Sequence, residues 1–182
     1  MKQFPLFSQK FERSCQTSIE PIIIEFYTEK LPPDIITDWK EAGWCSYGKG
    51  FLWTVNPAWY WTFIEDVFQG STHQNYVFMR TAFGNLFAWN GEEMRYIDIV
   101  SQEIIQLPRR LNILFDGLLC DEDYLDEVFH WQLFKQALQT LGALQAHECY
   151  ALKLPLALGG SLTLNNLHKA DWEVYLNWIH KL

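Results

Sequence analysis

The chain has no two cysteines at CxxC spacing, no internal repeat and no low-complexity segment. No stretch approaches the apolar length of a membrane span. Each absence removes a class of function. Cys15, Cys45, Cys120 and Cys149 are scattered, which leaves no zinc site of ordinary spacing. At 182 residues a disulfide scaffold is not needed, so reduced thiols are expected. The opening residues, MKQFPLFSQKFERSC, carry charges where a leader would need an apolar run. A cytoplasmic chain is the expectation. Basic residues are also scarce, with 14 Lys and Arg against 22 Asp and Glu, a net charge of −8. A protein that neutralises phosphates needs a basic face, so direct nucleic-acid binding is not expected. An acidic exterior suits a basic protein partner, or simply keeps the chain soluble.

Aromatic residues are abundant: nine Trp, eight Tyr and thirteen Phe. They imply a large core with some contact residues among them. "LPPDIITDWKEAGW" predicts a helix, begun by Pro32 and Pro33 and stopped at Gly43. "KGFLWTV" follows as a strand. In "NPAWYWTFIEDVF", Asn56 is placed to cap a helix and Pro57 to occupy its first turn. There Trp59, Phe63 and Val67 recur every four residues, with Tyr60 and Ile64 widening a core-facing stripe. From Tyr76 to Leu107 the period falls to two, and Asn90-Gly91 is a strong hairpin signal. Three or four antiparallel strands are expected, with Gly84 at a turn and an apolar face under the helices. Beyond Pro108-Arg109-Arg110 the pattern is helical in "LNILFDGLLCD", in "EDYLDEVFHWQLFKQALQTLG" as one helix, and in "DWEVYLNWIHKL". "ECYALKLPLALGG" reads as an extended segment entering a glycine loop. The class is α+β, a central antiparallel sheet packed by helices with a helical C-terminal half. Two regions, 1–107 and 108–182, are expected to share one continuous core.

Several groups have the residue types for chemistry. His147 and Cys149 stand two apart, as a base and a thiol would on a strand, but no orienting acid or cysteine-enzyme signature accompanies them. A core thiol is the competing reading of Cys149. Asp121, Glu122, Asp123, Asp126 and Glu127 crowd one segment without the glycine and spacing of a calcium loop. They fit a helix N-terminus or an acidic patch for a cationic partner, and Trp131 beside them is a candidate aromatic anchor. Glu92 and Glu93 form a rival patch. Gly159-Gly160 lacks the lysine of a phosphate loop. It is read as a turn, or alternatively as the edge of a pocket in a small-molecule or nucleotide-sensing module.

Taken together, "LPPDIITDWKEAGW…GKGFLWTVNPAWY", "RTAFGNLFAWNGEEMRYIDI" and "HECYALKLPLALGGSLTLNNLHK" resemble one arrangement. They are similar to a GAD-like domain followed by the C-terminal domain of type VI secretion immunity proteins, from about residue 20 to the end. The family pattern matches here at Asn56-Pro57, Gly84, Trp89, Glu148 and Gly159-Gly160. It departs at Asn85, where an acidic residue is expected, and at Leu156, where alanine is common. The resemblance implies a protein that binds and neutralises a toxin delivered between bacteria, often a DNase. It implies no catalytic residue, no metal and no cofactor. The matching positions are expected to be structural, because contact surfaces that follow a diverging toxin vary.

Overall fold

The hairpin signal at Asn90-Gly91 anchors the architecture. The Asn90 side-chain oxygen accepts from the amides of Glu92 and Glu93 at 3.0 and 2.8 Å, and Gly91 takes φ +94°. Asparagine bonds to its own turn in this way, and glycine accepts the positive φ without strain. In the computed structural model, which describes residues 1–69 and 73–182 and only the backbone of residues 15 and 16, this turn joins β5 (Leu86–Trp89) to β6 (Met94–Asp98). The other strands of the main sheet are β1 (Arg13–Thr17), β2 (Trp44–Tyr47), β3 (Leu52–Thr54), β4 (Tyr76–Thr81) and β7 (Glu103–Leu107). All seven pair antiparallel in chain order, a simple meander. A separate hairpin pairs β8 (Glu148–Leu152) with β9 (Leu167–Asp171).

Helices cover the sheet: α1 (Pro5–Lys10), α2 (Pro21–Tyr27), α3 (Pro33–Ala42), α4 (Trp61–Val67), α5 (Glu122–Phe129), α6 (Trp131–Leu141) and α7 (Trp172–Ile179). The expected α+β class is therefore observed. Proline opens α1, α2 and α3, where the missing N–H costs nothing. Asn56 caps the 57–60 turn that leads into α4, accepting from Ala58 N at 3.0 Å. Gly43 ends α3 at φ +72°.

The centre of the sheet is buried on both sides, not on one, while the edge strand β7 stays largely exposed. Every residue of β5, and of β4 after Tyr76, is inaccessible. Phe87 and Tyr96 meet Phe129 of α5 at 5.6 and 4.9 Å on one face. On the other, Arg80 lies near Tyr60, Cys149 and Asp171. One hydrophobic cluster runs from Phe4 through the sheet to Ile179.

Two expectations are corrected. The single helix over 122–141 is two, because His130 adopts a left-handed φ of +60° and breaks it. Trp59 does not face the core: the 57–60 turn is a tighter 3-10 helix, which rotates its ring outward to 56 % exposure. The segment Ile113–Leu118 is helical but π-wound. The sequence reading assigned no element before residue 32, where the structure has α1, β1 and α2.

Turning β4 into β5 inside the core requires internal partners for every polar group. Gly84 sits at φ +87°, and a Cβ there would lie 3.0 Å from Ile99. The Thr81 hydroxyl accepts from the amides of Phe83 and Asn85, both at 3.2 Å. Asn85, fully buried, donates to the Tyr96 hydroxyl at 2.8 Å and accepts from Ile99 N at 3.0 Å. A hydroxyl both donates and accepts, so a carboxylate at this position could keep both bonds by reversing the Tyr96 O–H. The departure from the acidic pattern is thus accommodated without altering the turn. Asn85→Ala removes one partner from each of two buried groups. It is expected to cost about 2–4 kcal/mol of stability, read by urea denaturation.

Candidate functional site

The residues with chemical potential fall in four places. Cys149 lies on β8, wholly buried, and burial pushes its thiol up to about 12 despite the nearby Arg80 charge. A nucleophile needs the thiolate, which this environment opposes. His147 is exposed and spends its backbone carbonyl on Trp172 N at 3.0 Å. Glu148 between them is held below the usual carboxylate range, first by the Gln145 amide, and it also pairs with Lys169 at 3.0 Å. Its bond to Gln145 N at 2.8 Å fixes the turn into β8, which accounts for a glutamate there in structural terms.

Gly159 and Gly160 follow a short 3-10 turn. Gly159 has φ +87°, and a Cβ on Gly160 would fall 1.9 Å from the Leu154 carbonyl oxygen. Gly160 is therefore a close backbone approach, with its amide bonded to Pro155 O at 2.9 Å. Asn166 closes the same loop on Leu154 and Ser161. These bonds explain the glycine pair without a ligand.

The acidic segment forms the first turns of α5. Its five carboxylates are not equivalent. Asp121 is the N-cap, accepting from Tyr124 N at 2.8 Å. Asp126 is half-buried and accepts from Gln132 N at 2.7 Å, so it caps the start of α6. Glu122, Asp123 and Glu127 point to solvent, and Glu122 approaches Lys10 at 3.7 Å. Trp131 is only half-exposed, packed at 5.5, 4.7 and 5.4 Å on Phe11, Phe51 and Phe134. The groove beside it, about 470 Å³, is edged by Lys10, Lys49 and Lys135 against one carboxylate, Glu12, so net positive charge adjoins the acidic turn. In the rival patch, Glu93 is bound by Arg95 at 2.8 Å while Glu92 stays exposed.

The sequence reading missed a second kind of surface. Trp59, Trp61 and Trp178 are 56, 39 and 43 % exposed, and Val174 on α7 is 69 % exposed. Trp59 stacks on Trp172 at 6.4 Å, which brings the 57–60 turn against the start of α7. The pattern of Trp59 with Phe63 and Val67 concealed this, because it is also that of a core helix. No local residue distinguishes the two, since Pro57 and Ala58 suit the first turn of an α-helix equally well.

Among the described residues no group of His, Cys, Asp and Glu could hold a metal ion, and no helix is long and apolar enough to cross a membrane.

Residues 2–103, more than half of the chain, match the GAD-like domain. The chain belongs to the GAD-like domain family. Residues 113–182 match the C-terminal domain of the type VI secretion immunity protein Tdi1, so the GAD-like domain is followed here by an immunity module. This supports an immunity role, with binding to a cognate effector protein and no enzymatic activity suggested. The fold is similar to that in the crystal structure of Atu4351 from Agrobacterium tumefaciens, with TM-score 0.81 and 20 % identity over 98 % of this chain and 88 % of that one. No curated protein matches the chain. The substitution Cys149→Ala is expected to leave effector protection in cells unchanged while lowering stability by about 1 kcal/mol in denaturant melts.

Proposed function

We propose that this GAD-like protein binds a basic nuclease effector stoichiometrically and neutralises it, by occluding or distorting the toxin's active site. The immunity module over residues 113–182 is the observation that carries the reading. Electrostatics supplies the class of target. A nuclease cleft must attract phosphates and is therefore basic, and a partner of net charge −8 is steered to it.

The contact surface proposed is the exposed side of α5. Glu122, Asp123 and Glu127 present their charge to solvent. Asp121 and Asp126 shape that surface indirectly, since their bonds to Tyr124 N and Gln132 N hold the ends of α5 and α6 in place. Trp131 contributes its half-exposed edge. Cytoplasmic action follows from this reading, because the effector's nucleic-acid substrate is there.

The test separates surface charge from caps. Lys replacements at Glu122, Asp123 and Glu127 together are expected to leave the thermal transition within a few degrees of wild type. They should slow association with the effector by about 10-fold or more at low salt, measured by stopped-flow or surface binding. Association and protection at wild-type levels would remove α5 from the interface. A complex that forms with an effector lacking nuclease activity would remove the nuclease class while leaving the immunity role.

A further inference from the structure

Between the 57–60 turn and the first turn of α7 lies a cavity of about 90 Å³. Its walls include the indoles of Trp44, Trp53, Trp59 and Trp172, together with Arg80 from β4. Arg80 is 1 % exposed. Its guanidinium donates to the carbonyls of Ala146 at 2.7 Å and Thr81 at 3.2 Å, and lies 5.0 Å from the centre of the Trp53 ring. Those acceptors are neutral. Among the described residues no carboxylate lies within ion-pair distance of it, and Asp171 acts on it only at longer range. Burial pushes its pKa down, the mark of a charge whose surroundings compensate it incompletely. Nearby, the Tyr60 hydroxyl is buried and has no hydrogen-bond partner among the described residues.

A buried cation is costly unless it is paired. A guanidinium on a cavity wall offers the planar fork of donors that matches a carboxylate. The indole walls favour an apolar group next to it. We propose that this cavity binds a small carboxylate, its oxygens on Arg80 and its apolar remainder against Trp59 and Trp172. The cavity is small. It accommodates an acetate- or propionate-sized group and is too small for a nucleotide. A phosphate, more strongly hydrated and without an apolar part, is disfavoured by the same walls. Trp59, 56 % exposed, stands at the mouth. A free short-chain acid and the side chain of an Asp or Glu from a protein partner present the same chemical group.

The probe is sodium propionate, titrated into the ¹⁵N-labelled full chain against sodium chloride at equal ionic strength. Saturable shifts are expected at the indole N–H signals of Trp44, Trp53, Trp59 and Trp172 and at Arg80 Nε–H, with half-saturation on the order of millimolar. The Trp131 indole, outside the cavity, should stay still. Arg80→Lys keeps the charge and loses the fork, and should abolish the shifts. Because Arg80 also ties β4 to Ala146, that variant could fail to fold. Trp59→Ala, at an exposed position, keeps the falsifying power: it should weaken propionate at least about 10-fold with the fold intact. Repeating the titration on the effector complex distinguishes the sources. Blocked propionate binding, with the same indole shifts already present, assigns the carboxylate to the partner; unchanged binding assigns it to a free acid. Shifts reproduced by chloride, phosphate binding as tightly as propionate, or unweakened binding by Trp59→Ala would each overturn the proposal.

Discussion

A sheet buried on both faces cannot leave a turn unsatisfied within it, and the Thr81–Asn85 turn is where this constraint is sharpest. It sits in the core, so water cannot supply its hydrogen bonds. The chain meets the demand with one hydroxyl, one amide side chain and one glycine. Thr81 Oγ1 takes two backbone amides, and Asn85 bridges Tyr96 and Ile99. Gly84 provides a left-handed backbone, at φ +87°, that residues with a side chain rarely adopt. The motif that marks the family in sequence is, in physical terms, the solution to that problem.

The same turn joins the two parts of the fold. Ala82 donates its amide to Phe51 O at 2.8 Å, and its carbonyl accepts from Tyr150 N of β8, also at 2.8 Å. Two residues earlier, Arg80 reaches Ala146 O just ahead of β8. The region matching the immunity module is thereby bonded to the centre of the GAD-like sheet. Aromatic packing continues the join, with Phe83 at 6.2 Å from Tyr150 and Tyr150 at 6.2 Å from Phe134. A rigid scaffold of this kind lets exposed groups on α5 hold fixed positions, which limits the entropy lost when a partner docks.

Much of this was legible in the sequence where local chemistry decides the outcome. Asn56-Pro57, Asn90-Gly91 and the alternating runs from Tyr76 to Leu107 each name their own structure. What was not legible depends on distant partners. β1 is an edge strand whose register exists only through β2. The break at His130 has no glycine or proline to announce it, and the apolar period continues across it. Its ring lies 6.0 Å from Phe83, and burial lowers its pKa. The acidic cluster was visible as a cluster, but its division into caps and free charges was not. Asp121 and Asp126 differ from Asp123 only in which amides the fold brings to them. The burial of Arg80 was not legible either, because it follows from layers that cover the centre of the sheet from both sides.

We propose that both regions share one cooperative core built on the Thr81–Asn85 turn. Native-state hydrogen exchange tests it most directly, by comparing the amide of Tyr150 with those of Thr81 and Asn85. All three are expected to open with the same free energy, that of global unfolding. Exchange of the Tyr150 amide at an opening energy lower by about 2 kcal/mol or more, with β4 and β5 still protected, would contradict it.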